Sequence, residues 1–206
     1  IPLYRLLDDS AARQPAHPCT NFFGKRMSYA AVKEASDRLA ASLQRLGVQP
    51  GDRVALLLPN SPQFVIATYA ILKAGAVVVP LNPLYTEREL AFHLGDCGSQ
   101  TAITIPLFLE KVTALVGKTP LQRVIYTRVA DHLPFPLNLG SRLQERGQMR
   151  TVDKASVIHL ASLLKDAPPA GWQPAAVDPG SLAVLIYSGG TTGVAKGIML
   201  SHYALV

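Results

Sequence analysis

The chain of 206 residues is poor in several residue types, and each shortage excludes a class of protein. Cys19 and Cys97 are the only cysteines, and neither has a second Cys or a His at metal-ligand spacing, which argues against a zinc site. We interpret both as reduced thiols of a cytoplasmic protein. Charged residues make up only 17% of the sequence and apolar residues 49%, which excludes a disordered chain.

Long uninterrupted apolar runs are also missing. The most apolar stretch extends from Phe64 to Leu81, but it contains Lys73 and Pro80. A membrane-spanning helix needs about 20 predominantly apolar residues, so this stretch favours a buried helix followed by a buried strand. The first residues, from Ile1, show no basic segment followed by an apolar one, and no secretory signal is expected.

The net charge of +6 raises the question of an anionic partner, which depends on whether the basic residues cluster. Residues 121–170 are rich in Lys and Arg but also contain acids, Pro and Leu, without aromatic residues at stacking intervals. The pattern favours a solvated face over a nucleic-acid site. The basic residues are Arg123, Arg128, Arg142, Arg146, Arg150, Lys154 and Lys165.

Short apolar strands alternate with amphipathic helices through the first part of the chain. We expect strands at 53–58, 76–79, 101–105 and 123–126, with helices at 62–73 and 107–116 and a third helix from the capping box Thr86–Glu89 to about Gly95. This alternation predicts βαβ units and an α/β fold with a mainly parallel sheet flanked by helices.

The pattern divides the chain into four parts. Residues 1–50 read as helix, strand and helix, with Ser28 capping the second helix, and residues 51–126 hold the βαβ units. Residues 127–180 are interrupted by prolines and predict an irregular connection in which only Ser156 to Leu164 looks helical. Residues 181–206 begin with a strong strand, Leu182 to Tyr187.

Directly after that strand comes the most informative segment, SGGTTGVAKG, from Ser188 to Gly197. Glycines let backbone N–H groups converge on an anion, hydroxyls add donors or a metal contact, and Lys196 adds a compact positive charge. The composition therefore predicts a loop that cradles phosphates.

Several other glycine-rich motifs do not fit. A Walker A loop needs Gly-Lys-Ser/Thr at the start of a helix, whereas Lys196 is followed by Gly197 and the strand-like Ile198-Met199-Leu200. The segment is not GxGxxG either, which argues against a dinucleotide site. A plain hairpin needs only two turn residues, so it does not account for a segment with this many glycines and hydroxyls and a lysine. No Gly-x-Ser-x-Gly elbow occurs, which argues against a serine hydrolase.

The segment from Tyr187 to His202, YSGGTTGVAKGIMLSH, resembles the phosphate-binding signature of the adenylate-forming enzymes. The resemblance covers nearly the whole chain and is greatest to long-chain fatty-acid CoA ligases. Its upstream elements are GDRVA at 51–55, PNSP at 59–62, GAV at 75–77 and LNPLY at 81–85. It implies the acyl-CoA synthetase fold, of which this chain would be a truncated N-terminal domain.

The resemblance implies that ATP activates a carboxylate to an acyl-adenylate, after which coenzyme A captures the acyl group. In that chemistry Lys196 would stabilise the leaving pyrophosphate together with Mg²⁺ and the two threonine hydroxyls. The residues expected to wrap the ATP phosphates are Ser188, Gly189, Gly190, Thr191, Thr192, Gly193 and Lys196.

The resemblance also assigns roles to residues beside the glycine-rich loop. Ser188 is a candidate Mg²⁺ contact, and His202 matches a position near the acyl pocket, although a lone His at a helix start is often a cap. We expect Tyr187 to pack at the strand end, and Tyr85 and Phe92 to lie in the core. His17, His93, His132 and His159 are expected to be surface or satisfied core residues.

The adenine-binding and ribose-binding segments, the acidic magnesium ligand and the C-terminal lid of the family have no counterpart in this sequence. We therefore expect residues 1–206 alone to be inactive. The alternatives are a non-catalytic nucleotide-phosphate-binding or interaction module, an aryl-CoA ligase or a peptide-synthetase adenylation domain. A fatty acid is the expected substrate, and a homodimer and peripheral membrane contact are further expectations.

Overall fold

The computed structural model describes residues 1–149, 157–188 and 195–206. The strands are β1 (Pro18–Phe22), β2 (Lys25–Ser28), β3 (Arg53–Leu57), β4 (Val77–Pro80), β5 (Thr101–Thr104), β6 (Arg123–Tyr126), β7 (Val157–His159), β8 (Leu182–Tyr187) and β9 (Gly197–Ser201). The helices are α1 (Arg5–Arg13), α2 (Tyr29–Arg45), α3 (Pro62–Lys73), α4 (Glu87–Cys97), α5 (Pro106–Thr113), α6 (Leu137–Gln148) and α7 (Leu160–Leu163). Two 3-10 helices cover Val129–His132 and Tyr203–Leu205.

Seven strands form one sheet in the order β7-β6-β5-β3-β4-β8-β9. The first six run parallel, and β9 alone runs antiparallel, against β8. The predicted α/β class with a mainly parallel sheet is confirmed. Helices cover both faces of the sheet, because each βαβ connection must return over one face.

Two apolar cores, one on each face, hold the helices against the sheet. Because neighbouring side chains of a strand point to opposite faces, Val54 and Leu56 of β3 enter one core, and Ala55 and Leu57 enter the other. Helices α1, α2 and α3 pack on the first core, and α4 and α5 on the second. The stretch from Phe64 to Leu81 supplies most of α3 and β4, as expected. No helix among the described residues is long and apolar enough to cross a membrane.

The predicted helix starts are formed by capping residues. The Ser28 hydroxyl accepts a hydrogen bond from the Ala31 N–H at 3.2 Å, and Thr86 and Glu89 form both bonds of a capping box. Ser61 precedes Pro62 at the start of α3, but its buried hydroxyl has no hydrogen-bond partner among the described residues. The backbone constraint of Pro62 therefore sets this start more than the cap does.

The prediction for residues 127–180 was wrong in two respects. A 12-residue helix, α6, lies within the expected irregular connection. The segment predicted as a helix from Ser156 to Leu164 contains a strand, since Val157 and Ile158 pair with β6 and only Leu160–Leu163 is helical. The β-branched residues fit the open edge of the sheet beside β6. Ser156 itself lies outside the described residues.

The prediction for residues 1–50 missed a strand. β2 pairs antiparallel with β1, so the two helices are separated by a hairpin rather than by a single strand. The polar sequence of Lys25–Ser28 gives no apolar signal of a strand. Its turn residues Phe23 and Gly24 both have positive φ, 50° and 86°, as the tight turns of two-residue hairpins require.

A buried lysine joins the three helices of the first core. The Lys73 side chain is fully buried, and its Nζ lies 2.6 Å from Asp8 Oδ1 of α1 and 2.5 Å from Asp37 Oδ1 of α2. A second lysine, Lys33, approaches the other oxygen of Asp37 at 2.6 Å. The charge of Lys73 is compatible with burial only because both carboxylates accompany it. The lysine that interrupts the apolar stretch thus forms ion pairs with two other helices.

We expect the substitution Asp8→Asn to lower the free energy of unfolding by about 2 kcal/mol, because it leaves the buried ammonium with one carboxylate. Asp9→Asn is the matched control on the same helix. Asp9 pairs with Arg5 at the surface, where an ion pair contributes about 0–1 kcal/mol. Urea unfolding of the three proteins measures the difference, and equal losses would contradict the role of Lys73.

Candidate phosphate-binding site

The hairpin of β8 and β9 positions the glycine-rich loop. In its register Leu185 pairs with Met199, and Tyr187 pairs with Gly197. The Ser188 N–H donates to the Lys196 carbonyl oxygen at 3.1 Å, so this backbone bond closes the base of the loop. The predicted phosphate ligands Gly189, Gly190, Thr191, Thr192 and Gly193 lie outside the described residues. The structure therefore brings together the two ends of the predicted site, Ser188 and Lys196.

A side chain at position 197, at the base of the loop, would contact Leu185 of β8 so closely that the leucine side chain would have to shift. A Cβ on Gly197 would lie 2.9 Å from Leu185 Cδ1 and 3.6 Å from Tyr187 Cε1. Only a residue without a side chain lets β9 pass this close to β8 without displacing Leu185. The last glycine of the motif therefore has a packing role that the sequence analysis had not separated from phosphate binding.

The two described side chains of the loop differ in their surroundings. Lys196 is exposed, and no described carboxylate lies within ion-pair distance of it. Ser188 is half-buried, and its hydroxyl lies 3.4 Å from the Lys196 carbonyl oxygen, a weak contact. The Lys196 ammonium can therefore approach an incoming anion without first breaking an ion pair with the described part of the chain.

Tyr187, the residue before the loop, is held in place by contacts with helix α4. Its ring is buried, and its hydroxyl donates to Asp96 Oδ2 at 2.5 Å. Burial and the neighbouring Asp96 carboxylate raise the pKa of Tyr187, so the phenol stays protonated and keeps donating. This confirms the expectation that Tyr187 packs at the strand end.

His93 of α4 completes this support. Its ring lies 4.3 Å from the Tyr187 ring and is stacked on Tyr85 at 4.6 Å, both measured between centroids. The imidazole is buried, Nδ1 has no hydrogen-bond partner among the described residues, and burial lowers the pKa of His93. His93 is thus part of an aromatic stack under the strand end. It is a core residue, as one of the two expected roles has it, but its Nδ1 is not satisfied by a described residue as that role assumed.

Sequence reasoning missed Asp96 and misplaced Phe92. Asp96 lies on an amphipathic helix 91 residues before Tyr187, and no local pattern marks it as a tyrosine acceptor. Phe92 was predicted in the core but is 43% exposed, because the inward direction at this turn of α4 is taken by His93 and Leu94. Tyr85 is partly buried against the second core.

His202 lies at the end of the hairpin away from the loop. Its N–H donates to the Ser181 carbonyl oxygen at 3.1 Å, before the first residue of β8. The side chain is buried, and Nδ1 accepts the Leu3 N–H at 3.0 Å. The described structure does not bring His202 to Ser188 and Lys196, and it shows a bond to the N-terminal segment. The substrate role remains a prediction.

No group of three or more potential metal-ligand side chains occurs in the described part of the chain. Ser188 is the single described hydroxyl at the loop base, and one hydroxyl does not make a protein-only Mg²⁺ site. Mg²⁺ in nucleotide sites usually takes several of its oxygen ligands from phosphates and water. The described loop base therefore offers one side-chain oxygen, the Ser188 hydroxyl, for such a contact.

A family model and the similar curated proteins place the chain in the same family. The family model described as AMP-binding enzyme matches residues 7–206. A long-chain-fatty-acid–CoA ligase of Bacillus subtilis (strain 168) is 40% identical over 203 residues, which are 97% of this chain and 36% of the relative. The chain thus spans about a third of the length of this relative.

Solved structures show the same fold. The anthranilate CoA ligase AuaEII in complex with anthranoyl-AMP has a TM-score of 0.81 at 21% identity, covering 98% of this chain and 35% of that one. ATP-bound MatB from Rhodopseudomonas palustris has a TM-score of 0.74 at 25% identity, covering 98% and 35%. The expected N-terminal domain of the acyl-CoA synthetase fold is confirmed.

We expect Tyr187→Phe to lower the free energy of unfolding by about 1 kcal/mol, because it removes one hydrogen bond while keeping the ring in the stack. Tyr203→Phe is the matched control, since Tyr203 is 78% exposed. Urea unfolding followed by tyrosine fluorescence and circular dichroism measures both. A loss no larger than in the control would show that the Asp96 contact does not hold the strand end.

We expect the chain to lose stability as the pH falls below about 6.5, the ordinary histidine pKa. Burial lowers the pKa of His93, His132, His159 and His202, so the unfolded chain binds more protons in this range and unfolding becomes more favourable. The stability that these buried histidines contribute is fully present above the histidine pKa of the unfolded chain. It is lost as the pH falls toward the lowered pKa that each histidine has in the folded chain.

The substitution His93→Gln is expected to flatten the slope of unfolding free energy against pH between about 6.5 and 5. The slope, rather than the absolute stability, separates titration from lost packing. His17→Gln is the control, because His17 is exposed. An unchanged slope in His93→Gln would contradict the assignment of a buried neutral imidazole.

Proposed function

Because the chain belongs to the AMP-binding enzyme family, we propose that it is part of an ATP-dependent ligase that joins a long-chain fatty acid to coenzyme A. The observation that carries the proposal is the loop base. There the backbone bond from Ser188 to Lys196 holds a lysine that has no ion pair with the described residues, at the end of a glycine-rich segment. The fatty-acid relatives, such as that of Bacillus subtilis, support the choice of acid.

The proposed reaction has two steps. A carboxylate oxygen of the acid attacks the α-phosphorus of ATP, the bond between the α- and β-phosphates breaks, and pyrophosphate leaves with the negative charge. The thiol sulfur of coenzyme A then attacks the acyl carbon, its proton is lost to solvent or a base, and AMP leaves. The first step needs positive charge and N–H donors where pyrophosphate develops.

The residues of this chain would act at that position. The Lys196 ammonium would approach the β- and γ-phosphates, and Thr191 and Thr192 would donate from their hydroxyls. Backbone N–H groups of 189–193 would complete the cradle. Ser188 would add an oxygen toward Mg²⁺, which when bound neutralises phosphate charge. Tyr187 and Asp96 would act indirectly, by holding the end of β8 from which the loop departs.

Proteins similar to this chain include ligases of aryl acids as well as of fatty acids. An anthranilate CoA ligase shares the fold, and a 4-coumarate–CoA ligase of Narcissus pseudonarcissus is 29% identical over 208 residues. Aryl acids are therefore the first competitors of fatty acids. Exchange of labelled pyrophosphate into ATP, dependent on added fatty, aryl or amino acids, distinguishes them.

We also propose that residues 1–206 do not form acyl-adenylate alone, because the phosphate loop is only one part of the site that the reaction requires. The exchange assay is run on this chain and on the polypeptide of its native reading frame. Turnover by the 206-residue chain would overturn this part. Mg-ATP binding without exchange in either protein would favour a nucleotide-binding module. Cytoplasmic location and a homodimer remain predictions from the sequence.

We expect Lys196→Met to lower the acid-dependent exchange of pyrophosphate into ATP by about 100-fold in the polypeptide of the native reading frame. Loss of one transition-state donor has an effect of this size in other enzymes. The methionine keeps most of the length of the side chain and removes its charge. The rate constant should fall more than the apparent affinity for ATP changes, because charge builds on pyrophosphate as the bond breaks.

Lys118→Met is the matched control. Lys118 is a surface lysine on the loop after α5, 66% exposed, with a long pair to Glu87 at 3.6 Å. Its substitution should leave exchange within about twofold, since a surface ion pair contributes little. Equal activity of the Lys196 and Lys118 variants would contradict the role of Lys196 at the leaving pyrophosphate.

A further inference from the structure

His93 lies between two loops that leave the same edge of the sheet. The loop of residues 81–86 follows β4, the glycine-rich loop follows β8, and these two strands are parallel neighbours. The His93 ring is stacked on Tyr85 of the first loop and contacts Tyr187, the residue before the second. Both loops therefore have an aromatic residue in contact with one imidazole.

The 81–86 loop is held on α5 by a lysine. Lys111 Nζ donates to the Tyr85 carbonyl oxygen at 2.5 Å and lies 3.4 Å from the Pro83 carbonyl oxygen. A hydrogen bond from an ammonium is about twice as strong as a neutral one. Tyr85 is therefore the more firmly held neighbour of His93, and a change at the imidazole acts mainly on Tyr187.

The Asp96 carboxylate is close to both the tyrosine and the histidine. It accepts the Tyr187 hydroxyl at 2.5 Å. Asp96 also follows His93 by three residues on α4, the spacing that places two side chains on one helix face, and its charge favours a protonated imidazole. A neutral imidazole attracts the carboxylate weakly, whereas an imidazolium attracts it strongly.

The other charged groups around His93 are engaged elsewhere. Glu89 also acts on His93, but its Oε2 accepts the N–H and the hydroxyl of Thr86 in the capping box. The Lys111 ammonium is bonded to a backbone carbonyl oxygen. The His93 side chain is 3% exposed, and its Nδ1 has no partner among the described residues. Asp96 is therefore the described carboxylate that a buried imidazolium would draw toward itself.

We propose that His93 is a positioning residue for the loop base. Neutral His93 leaves the Asp96 carboxylate to the Tyr187 hydroxyl, and protonated His93 takes the carboxylate from it. Tyr187 directly precedes Ser188, whose N–H closes the loop base on the Lys196 carbonyl oxygen. The loop base is therefore ordered while His93 is neutral and loosens when it gains a proton. The effect on activity rests on the ligase proposal, whereas the link from His93 to the loop base does not.

The first test is a pH titration of the isotope-labelled chain of 206 residues, followed by NMR of the His93 ring and of the Ser188 and Lys196 amides. Burial lowers the pKa of His93, so its midpoint is expected below the ordinary value of about 6.5. Both amides should shift with the same midpoint. His93→Phe, which keeps a ring in the stack, should abolish this shift. His93→Gln replaces it if the phenylalanine variant does not fold.

Asp96→Asn separates competition for the carboxylate from the direct field of the imidazolium. The asparagine keeps an oxygen for the Tyr187 hydroxyl but has no charge, so both amides should stop following His93 while its ring still titrates. His159→Phe is the matched control. His159 is stacked on Tyr126 at 4.7 Å and burial lowers its pKa, but it lies on β7 at the far edge of the sheet. This variant should leave the amide titration unchanged.

Two results in the parent chain and the His93 variants would overturn the proposal. One is a titration of His93 that the Ser188 and Lys196 amides do not follow, and the other is an amide titration that persists without the imidazole. An unaltered amide response in Asp96→Asn, or its loss in His159→Phe, would also overturn it.

The second test is the pH profile of acid-dependent pyrophosphate exchange by the polypeptide of the native reading frame. The rate constant should fall on the acid side with the midpoint of His93. The apparent pKa of this limb should move by about half a unit or more in His93→Phe and stay in place in His159→Phe. Identical profiles of parent and His93→Phe would contradict the effect on activity. No exchange by any of these proteins, with the amide titration intact, would count against the ligase proposal and leave the link from His93 in place.

Discussion

The parallel pairing of β8 with β4 is the contact on which the candidate site depends. It returns the chain across the sheet to the outer side of β4, after β5, β6 and β7 have been added on the far side of β3. Because parallel strands end at the same edge of the sheet, β8 ends near α4, the helix that follows β4. Tyr187 therefore meets Asp96 and His93, and the glycine-rich loop starts from a fixed point.

The sequence predicted those strands and helix starts that depend on residues adjacent in the chain. The strands β3 to β6 are buried on both sides and are rich in apolar residues, and the helix caps at Ser28 and Thr86 are recognisable from the residues that follow them. β2 and α6 were missed because their residues serve surfaces rather than a core. Asp96 was missed because only the sheet order brings it to Tyr187. The loop was predicted by composition, yet its base is defined by a backbone bond and by packing at Gly197.

Three lysines have different roles because their surroundings differ. Lys73 is buried between two carboxylates and holds helices together. Lys25 donates a hydrogen bond to the Asp131 carbonyl oxygen and so ties the β1–β2 hairpin to the 3-10 helix at Val129–His132. Lys196 has no carboxylate partner in the described structure and lies at the end of the glycine-rich segment. The last arrangement favours a mobile anionic ligand, since a free ammonium loses no ion pair when phosphate arrives.

The most direct test of the central claim, that the β8–β9 loop holds the phosphates of ATP, is a titration of the isotope-labelled chain with Mg-ATP followed by amide NMR. The account predicts saturable shifts concentrated at Ser188, Lys196, Gly197 and the intervening loop, reproduced by pyrophosphate and absent with adenosine. Shifts of similar size with adenosine, or shifts centred elsewhere in the sheet, would contradict it.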